Sequence, residues 1–200
     1  MKRVLHRFTR SVPEWRPRVA PVVLAGATPE QLDALQVTPS NTKVSDYVLV
    51  LAHDPETLAV RSPLFNAIMY DKGGLSRAER EIGVIGASIV NRCVYCAAVH
   101  AQRHEQLTRS PAVTDEIFAR GTKAQLSGRD RAIFDFAVAL SQTPPAAGPD
   151  HVAALRREGL DDAEISDLIV SAALFGWANR LMHILGDPVR EVADAPSADS

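Results

Sequence analysis

An all-α fold is what this sequence predicts, and three observations carry it. Helix start signals recur from Val44 onward, apolar residues return behind them at three- and four-residue spacing, and strand patterning is thin. The 200 residues suffice for one substantial core. With 46% hydrophobic and 23% charged residues, the composition is that of a folding chain rather than a disordered one.

Residues 1–29 contain four prolines and read as an irregular, solvated arm. Pro29 and the following Glu-Gln-Leu-Asp-Ala-Leu predict a short helix. Asp54-Pro55 sets an N-cap before a first-turn proline, with Leu58, Ala59, Leu64 and Ile68 as the apolar stripe behind it. Pro63 is expected to bend or divide that helix, and Gly73-Gly74 to end it. Ser76-Arg77-Ala78-Glu79 is a capping-box signature, followed by Ile82, Ile85, Gly86 and Ile89 on one helical face.

Further starts lie at Ser110-Pro111, at Ser127 with Asp130, and at Asp161 with Glu164. The segment 130–141 buries Ile133, Phe134, Ala137 and Leu140 if helical, and the proline-rich run 143–149 forces a loop. Pro149 begins a short helix that Gly159 ends. The last helix, about 163–185, is apolar around much of its surface near residues 172–178, which calls for cover on several sides by core or oligomer contact. The expected organisation is an arm over 1–29, a helical domain over 30–188 and a flexible tail over 189–200.

Lys plus Arg sum to 22 and Asp plus Glu to 24, a net charge of -2, so no general attraction to nucleic acid is expected. The basic residues Lys2, Arg3, Arg7, Arg10, Arg16 and Arg18 belong to the solvated arm. No charge-free apolar run of about 18 residues predicts a membrane span, and no signal-peptide pattern opens the chain. A cytoplasmic location follows as the expectation. There a Cys-x-x-Cys pair serves catalysis, redox exchange or metal binding rather than stapling a secreted fold.

The chemistry concentrates between Glu81 and His104. Cys93 and Cys96, three residues apart at the predicted start of a helix, are close enough to form a disulfide, and the helix N-terminus stabilises a thiolate. His100 is four residues after Cys96 and shares its helical face, placed to take a proton. Glu81 precedes Cys93 by twelve residues, and packing of its helix against the next brings its carboxylate to the same place for proton relay. A thiolate attacks the terminal oxygen of a hydroperoxide and becomes a sulfenic acid; a second thiol expels water and leaves a disulfide, which an external dithiol reduces. The same four side chains are also a ligand set for zinc, although neither a Gly-rich turn nor a second cysteine pair accompanies them. Covalent haem is excluded because Ala97 follows the second cysteine.

Glu, eleven residues, Cys-x-x-Cys, three residues, His, preceded by Leu75-Ser76-Arg77-Ala78-Glu79-Arg80, resembles the motif of the alkylhydroperoxidase D-like branch of the carboxymuconolactone decarboxylase family. The run Ala173-Leu174-Phe175-Gly176-Trp177-Ala178-Asn179-Arg180 resembles the family's C-terminal helix. The resemblance implies an AhpD-like helical bundle that acts without a cofactor and assembles as a dimer, trimer or hexamer. It implies a peroxide substrate and a dithiol or protein reductant, with Cys96 as the attacking thiol, Cys93 as the resolving thiol, His100 as the relay and Glu81 as its polarising carboxylate. Tyr95 departs from the pattern, standing where a second histidine often sits; with an unperturbed pKa near 10 it is a poor base.

Two other readings stand beside the peroxidase: a cofactor-free, decarboxylase-like proton-transfer enzyme using Glu81 and His100, and a redox-sensing or zinc-stabilised interaction protein. Among the neighbours, His104 is expected at the rim or surface, as a possible auxiliary to the site. His183 is expected to pair with Asn179, and Arg80 in a salt bridge. Phe65, Tyr70 and Trp177 are expected at helix contacts rather than in a pocket.

Overall fold

A computed structural model describes residues 2–35 and 43–191. The described chain opens with two short strands, β1 (Lys2–Val4) and β2 (Glu14–Pro17). The helices α1 (Pro29–Ala34), α2 (Asp46–Leu51), α3 (Pro55–Tyr70), α4 (Arg77–Val90) and α5 (Val94–Thr108) follow. Next come α6 (Ala112–Arg120), α7 (Gly128–Ser141), α8 (Pro149–Arg157) and α9 (Asp162–Leu185), and a final strand, β3 (Gly186–Glu191). The bundle is AhpD-like and helical, as the sequence predicts.

The start signals act as their chemistry requires. Ser76 and Glu79 close a capping box on α4, Asp161 and Glu164 close one on α9, and Asp54 accepts from the Thr57 amide at 3.1 Å ahead of α3. Pro63 does not divide α3, which runs unbroken over 16 residues. A mid-helix proline costs about 3 kcal/mol. Burial of Leu58, Phe65 and Met69 on the same helix offsets it at about 1.5–3 kcal/mol each.

The centre of the bundle is α4, which packs against α5, α7 and α9. Ile82, Ile85 and Ile89 face a core that includes Ile133, Phe134 and Leu168. Two glycines set how closely the neighbours approach. A Cβ at Gly83 would lie 2.7 Å from Leu168 Cδ1, and one at Gly86 would lie 2.9 Å from Ala137 Cβ, nearer than carbon atoms can sit. Arg80, the expected salt-bridge former, is buried: it holds Asp167 at 2.7 Å and donates to the carbonyls of Ile68 and Gly73, tying the α3–α4 loop to α9.

Both termini differ from the expectation of arm and tail. β3 is the middle strand of a three-stranded antiparallel sheet in the order β1-β3-β2, with Val4 opposite Val189 and Trp15 opposite Pro188. The arm is therefore anchored, and the strand takes in residues 189–191 of the expected tail; residues 192–200 lie outside the described residues. No alternating apolar pattern announces strands this short; pairing partners about 170 to 190 residues apart make them. Among the basic residues of the arm, Lys2 pairs with Glu14 at 2.7 Å, Arg10 with Glu105 at 3.0 Å and Arg18 with Asp187 at 2.5 Å. Trp15 is buried and donates to the Met182 carbonyl at 3.4 Å, docking the sheet on α9.

By length and composition α9 is apolar enough to cross a membrane, with a mean hydropathy of 1.4 over 18 residues. Its Leu168, Ala172, Phe175 and Met182 are buried in the bundle.

The glycine contacts carry a stability test. Gly86→Ala is expected to lower the unfolding free energy by about 1 kcal/mol net, because overpacking outweighs the helix-propensity gain. Gly26→Ala, where a Cβ meets nothing within 4 Å, is expected to change it by less than about 0.5 kcal/mol. Urea denaturation measures both.

Candidate active site

The α4–α5 turn builds the thiol site. Asn91 caps α4, Arg92 takes a left-handed conformation with φ 57°, and Cys93 becomes the N-cap of α5. There its sulfur accepts from the Cys96 amide at 3.4 Å, a hydroxyl cap's role filled by a thiol. Both cysteines are free and buried, with their sulfurs 2.8 Å apart and hydrogen-bonded.

Because α5 folds back along α4, the first helix's Glu81 meets the second's His100. The Glu81 carboxylate is completely buried; Oε2 lies 2.5 Å from His100 Nδ1, and Oε1 accepts from Arg77 Nε at 2.8 Å. Burial pushes this carboxyl up, but the His100 and Arg77 charges and hydrogen bonds outweigh it and hold the group below the usual glutamate range. It is an ionised carboxylate in the core. Phe175 packs against His100 edge-on at 4.4 Å between ring centroids and steadies the imidazole from the other side.

The two thiols differ sharply in acidity. The hydrogen bond from Cys96 pulls Cys93 below the ordinary thiol value against the effect of burial, with help from backbone amides and Asn179. Burial, then the adjacent Cys93, pushes Cys96 well above it. The pair therefore holds one proton loosely and one tightly, the looser one on Cys93. The family resemblance implied Cys96 as the attacking thiol; both sulfurs lie against Trp15, Val50 and Met182, and the N-cap position gives Cys93 the larger share of backbone amides.

Cys96, and not Cys93, lines a cavity of about 150 Å3, which His100, Tyr95, Phe65, Tyr70 and Phe175 also line. Phe65 and Tyr70 thus belong to the pocket as well as to helix contacts. Trp177 lies outside this cavity, 41% exposed on α9. Tyr95 is half-buried, and burial and the thiol charges raise its pKa, so it remains a hydrogen-bond donor.

Two histidines depart from expectation. His104 is buried rather than at the rim, because its turn of α5 points into the bundle, and its Nδ1 has no partner. His183 bonds the Asn91 carbonyl at 2.7 Å instead of Asn179, which reaches the Asn91 side chain and the Ser88 hydroxyl, both at 3.3 Å. Among the described residues, no three His, Cys, Asp or Glu side chains gather as a metal-holding group. Sequence reasoning missed Tyr47, Arg61 and Arg77. The four-residue spacing of Arg77 from Glu81 was a readable ion-pair signal; Tyr47 and Arg61 carry none.

Ultraviolet thiolate absorbance tests the acidity order. One thiol is expected to ionise below the ordinary thiol range and the second well above it. Cys93→Ser is expected to leave only the high transition.

The sequence profile of the carboxymuconolactone decarboxylase family matches residues 55–139, from α3 into α7. An uncharacterized peroxidase-related protein from Ralstonia eutropha JMP134, an alkylhydroperoxidase AhpD core, superposes with a TM-score of 0.72 at 28% identity, over 88% of this chain and 92% of that chain. A peroxidase-related protein from Silicibacter sp. TM1040 gives 0.69 at 22% identity over 84% and 91%. The debrominase Bmp8 gives 0.68 at 20% identity over 84% and 89%. At the lower identities the likeness is one of fold. No curated protein sequence matches the chain. A family profile covering the site-bearing helices and a peroxidase-related structure matched over most of both chains converge, and the chain is similar to the carboxymuconolactone decarboxylase/AhpD-like superfamily in sequence and fold.

Proposed function

We propose that the chain is a thiol-dependent oxidoreductase that reduces an organic or hydrogen peroxide. The observation that carries this reading is the pair of free cysteines, sulfurs 2.8 Å apart, with only Cys96 facing the cavity that His100 shares. The more acidic sulfur and the cavity-lining sulfur are different atoms, so the mechanism starts with a proton moving between them. Cys96 passes its proton to the Cys93 thiolate and attacks the terminal peroxide oxygen. The O–O bond breaks, Cys96 becomes a sulfenic acid, and the departing alkoxide takes a proton from His100, whose imidazolium Glu81 stabilises. The Cys93 thiol then attacks the Cys96 sulfur; the S–O bond breaks, water leaves with the Cys93 proton, and a disulfide remains. One peroxide, one external proton, one thiol and one thiolate become an alcohol, a water and a disulfide. A dithiol or protein reductant restores the thiols by exchange.

A second reading has its own support. An ionised buried Glu81 oriented on His100 is a proton-transfer dyad in its own right, and burial keeps the Cys96 thiol neutral. A cofactor-free, decarboxylase-like reaction would use the dyad and leave the cysteines unchanged.

The reading extends to a homo-oligomer. Ile169 and Trp177 are exposed on one face of α9, eight residues apart, where an apolar strip calls for cover.

A single-turnover titration of reduced protein with limiting organic hydroperoxide is expected to consume two thiols per peroxide. Cys96→Ser is expected to abolish the fast phase, and Glu81→Gln to slow it by about 100-fold, the scale of a lost proton-relay partner. Unchanged thiols and peroxide would move the assignment to proton transfer.

A further inference from the structure

Arg61 enters the cavity wall from α3, and its position is unusual for a charged side chain. The guanidinium carbon lies 3.8 Å from the centroid of the Phe65 ring and 5.7 Å from that of Tyr47. Stacking on an aromatic face holds a cation in place without neutralising it. Among the described residues no carboxylate forms a salt bridge with Arg61, whereas Arg77, which lines the same cavity, is committed to Glu81. Arg61 Nε is buried with no hydrogen-bond partner.

The neighbouring Tyr47 has the same deficit. Its hydroxyl is buried without a partner, although the ring packs edge-on against Trp15 at 5.8 Å and joins the cluster around the two cysteines. Burial pushes its pKa up to about 12, so it is a protonated donor. Arg61 and Tyr47 interact with each other, yet Arg61 Nε and the Tyr47 hydroxyl, both buried, make no geometric hydrogen bond in the cavity that Cys96 faces. Leaving such groups unpaired costs about 1–3 kcal/mol each, more for a charged one, and an acceptor that receives from both removes that cost. A carboxylate has the charge and the two oxygens for it. Phe65, Met69, Val99, Phe175 and Met182 supply the apolar part of the lining, and Arg77 and Arg103 add positive charge to it. At about 150 Å3 the cavity has the size at which an apolar protein interior accepts a benzene ring.

We propose that Arg61 and Tyr47 read a carboxylate on the substrate, so that the molecule reduced at Cys96 is a small organic anion, about one ring in size, carrying its hydroperoxide away from the carboxylate. This rests on the reading that the cavity over Cys96 is the substrate site. It adds a specificity that the thiols and the Glu81–His100 dyad do not supply. Arg61 is thus a binding residue, separate from the groups that move protons.

The test uses benzoate and benzamide, which share size and shape and differ in charge, titrated calorimetrically into the reduced full-length protein. Benzoate is expected to bind at least ten-fold tighter than benzamide. Arg61→Met is expected to bring the ratio near one, Arg61→Lys to restore part of it, and Tyr47→Phe to lower it; circular dichroism checks that each variant is folded. Equal affinity for the two probes, binding of neither, or a preference that survives Arg61→Met in folded protein would overturn the inference. A kinetic arm compares cumene hydroperoxide with its ring carboxylate by thiol loss. Faster oxidation by the carboxylate, lost in Arg61→Met, supports the inference. Oxidation at equal rates by both peroxides overturns it while leaving the peroxidase reading intact. If neither peroxide oxidises the thiols but benzoate remains preferred, the anion site stands and the peroxidase reading fails.

Discussion

The site is organised around one costly group, the ionised carboxylate of Glu81, which has no solvent exposure in the middle of α4. An isolated buried charge of this kind costs several kcal/mol, and it persists only with hydrogen bonds and countercharges in good geometry. Arg77 supplies them from one turn earlier on the same helix, and His100 supplies them from α5. The requirement that His100 meet Glu81 fixes how α5 lies against α4. It thereby fixes where the first turn of α5, with both cysteines, stands relative to the imidazole. The close approach of α7 and α9 at Gly86 and Gly83 seals the carboxylate from water. Packing and chemistry are thus one constraint on α4.

The cysteine pair divides its labour by position. The N-cap gives Cys93 the amides that stabilise charge, and the inward first turn gives Cys96 the cavity but leaves it in apolar surroundings. A thiol that is accessible but not acidic, beside one that is acidic but not accessible, makes the 2.8 Å contact between them functionally decisive. In the proposed mechanism the contact carries the proton before the reaction and becomes the covalent bond after it. Asn179, fully buried on α9, lowers both thiols and ties this turn to the last helix.

The termini and α3 complete the enclosure. Trp15 from β2 and Met182 from α9 form the wall behind the sulfurs, and Tyr47 packs on Trp15. The arm therefore contributes a wall of the site rather than hanging from it. α3, carried through Pro63 by its buried face, brings Phe65 and Arg61 to the opposite side.

What the sequence determined by itself was local. Capping boxes at Ser76 and Asp161, first-turn prolines and helical apolar spacing name their elements within a few residues, since their physics acts over one or two turns. The motif from Glu81 to His100 was legible for the same reason, its spacing being set by two helices and one turn. Only the tertiary structure decided the rest. The β1-β3-β2 sheet pairs residues from opposite ends of the chain, the burial of His104 depends on which face of α5 meets the bundle, and the continuity of α3 depends on the core beneath it. The order of thiol acidity and the meeting of Arg61 with Tyr47 were likewise beyond the sequence, because a charge's stability is set by which groups surround it, and those groups come from distant segments.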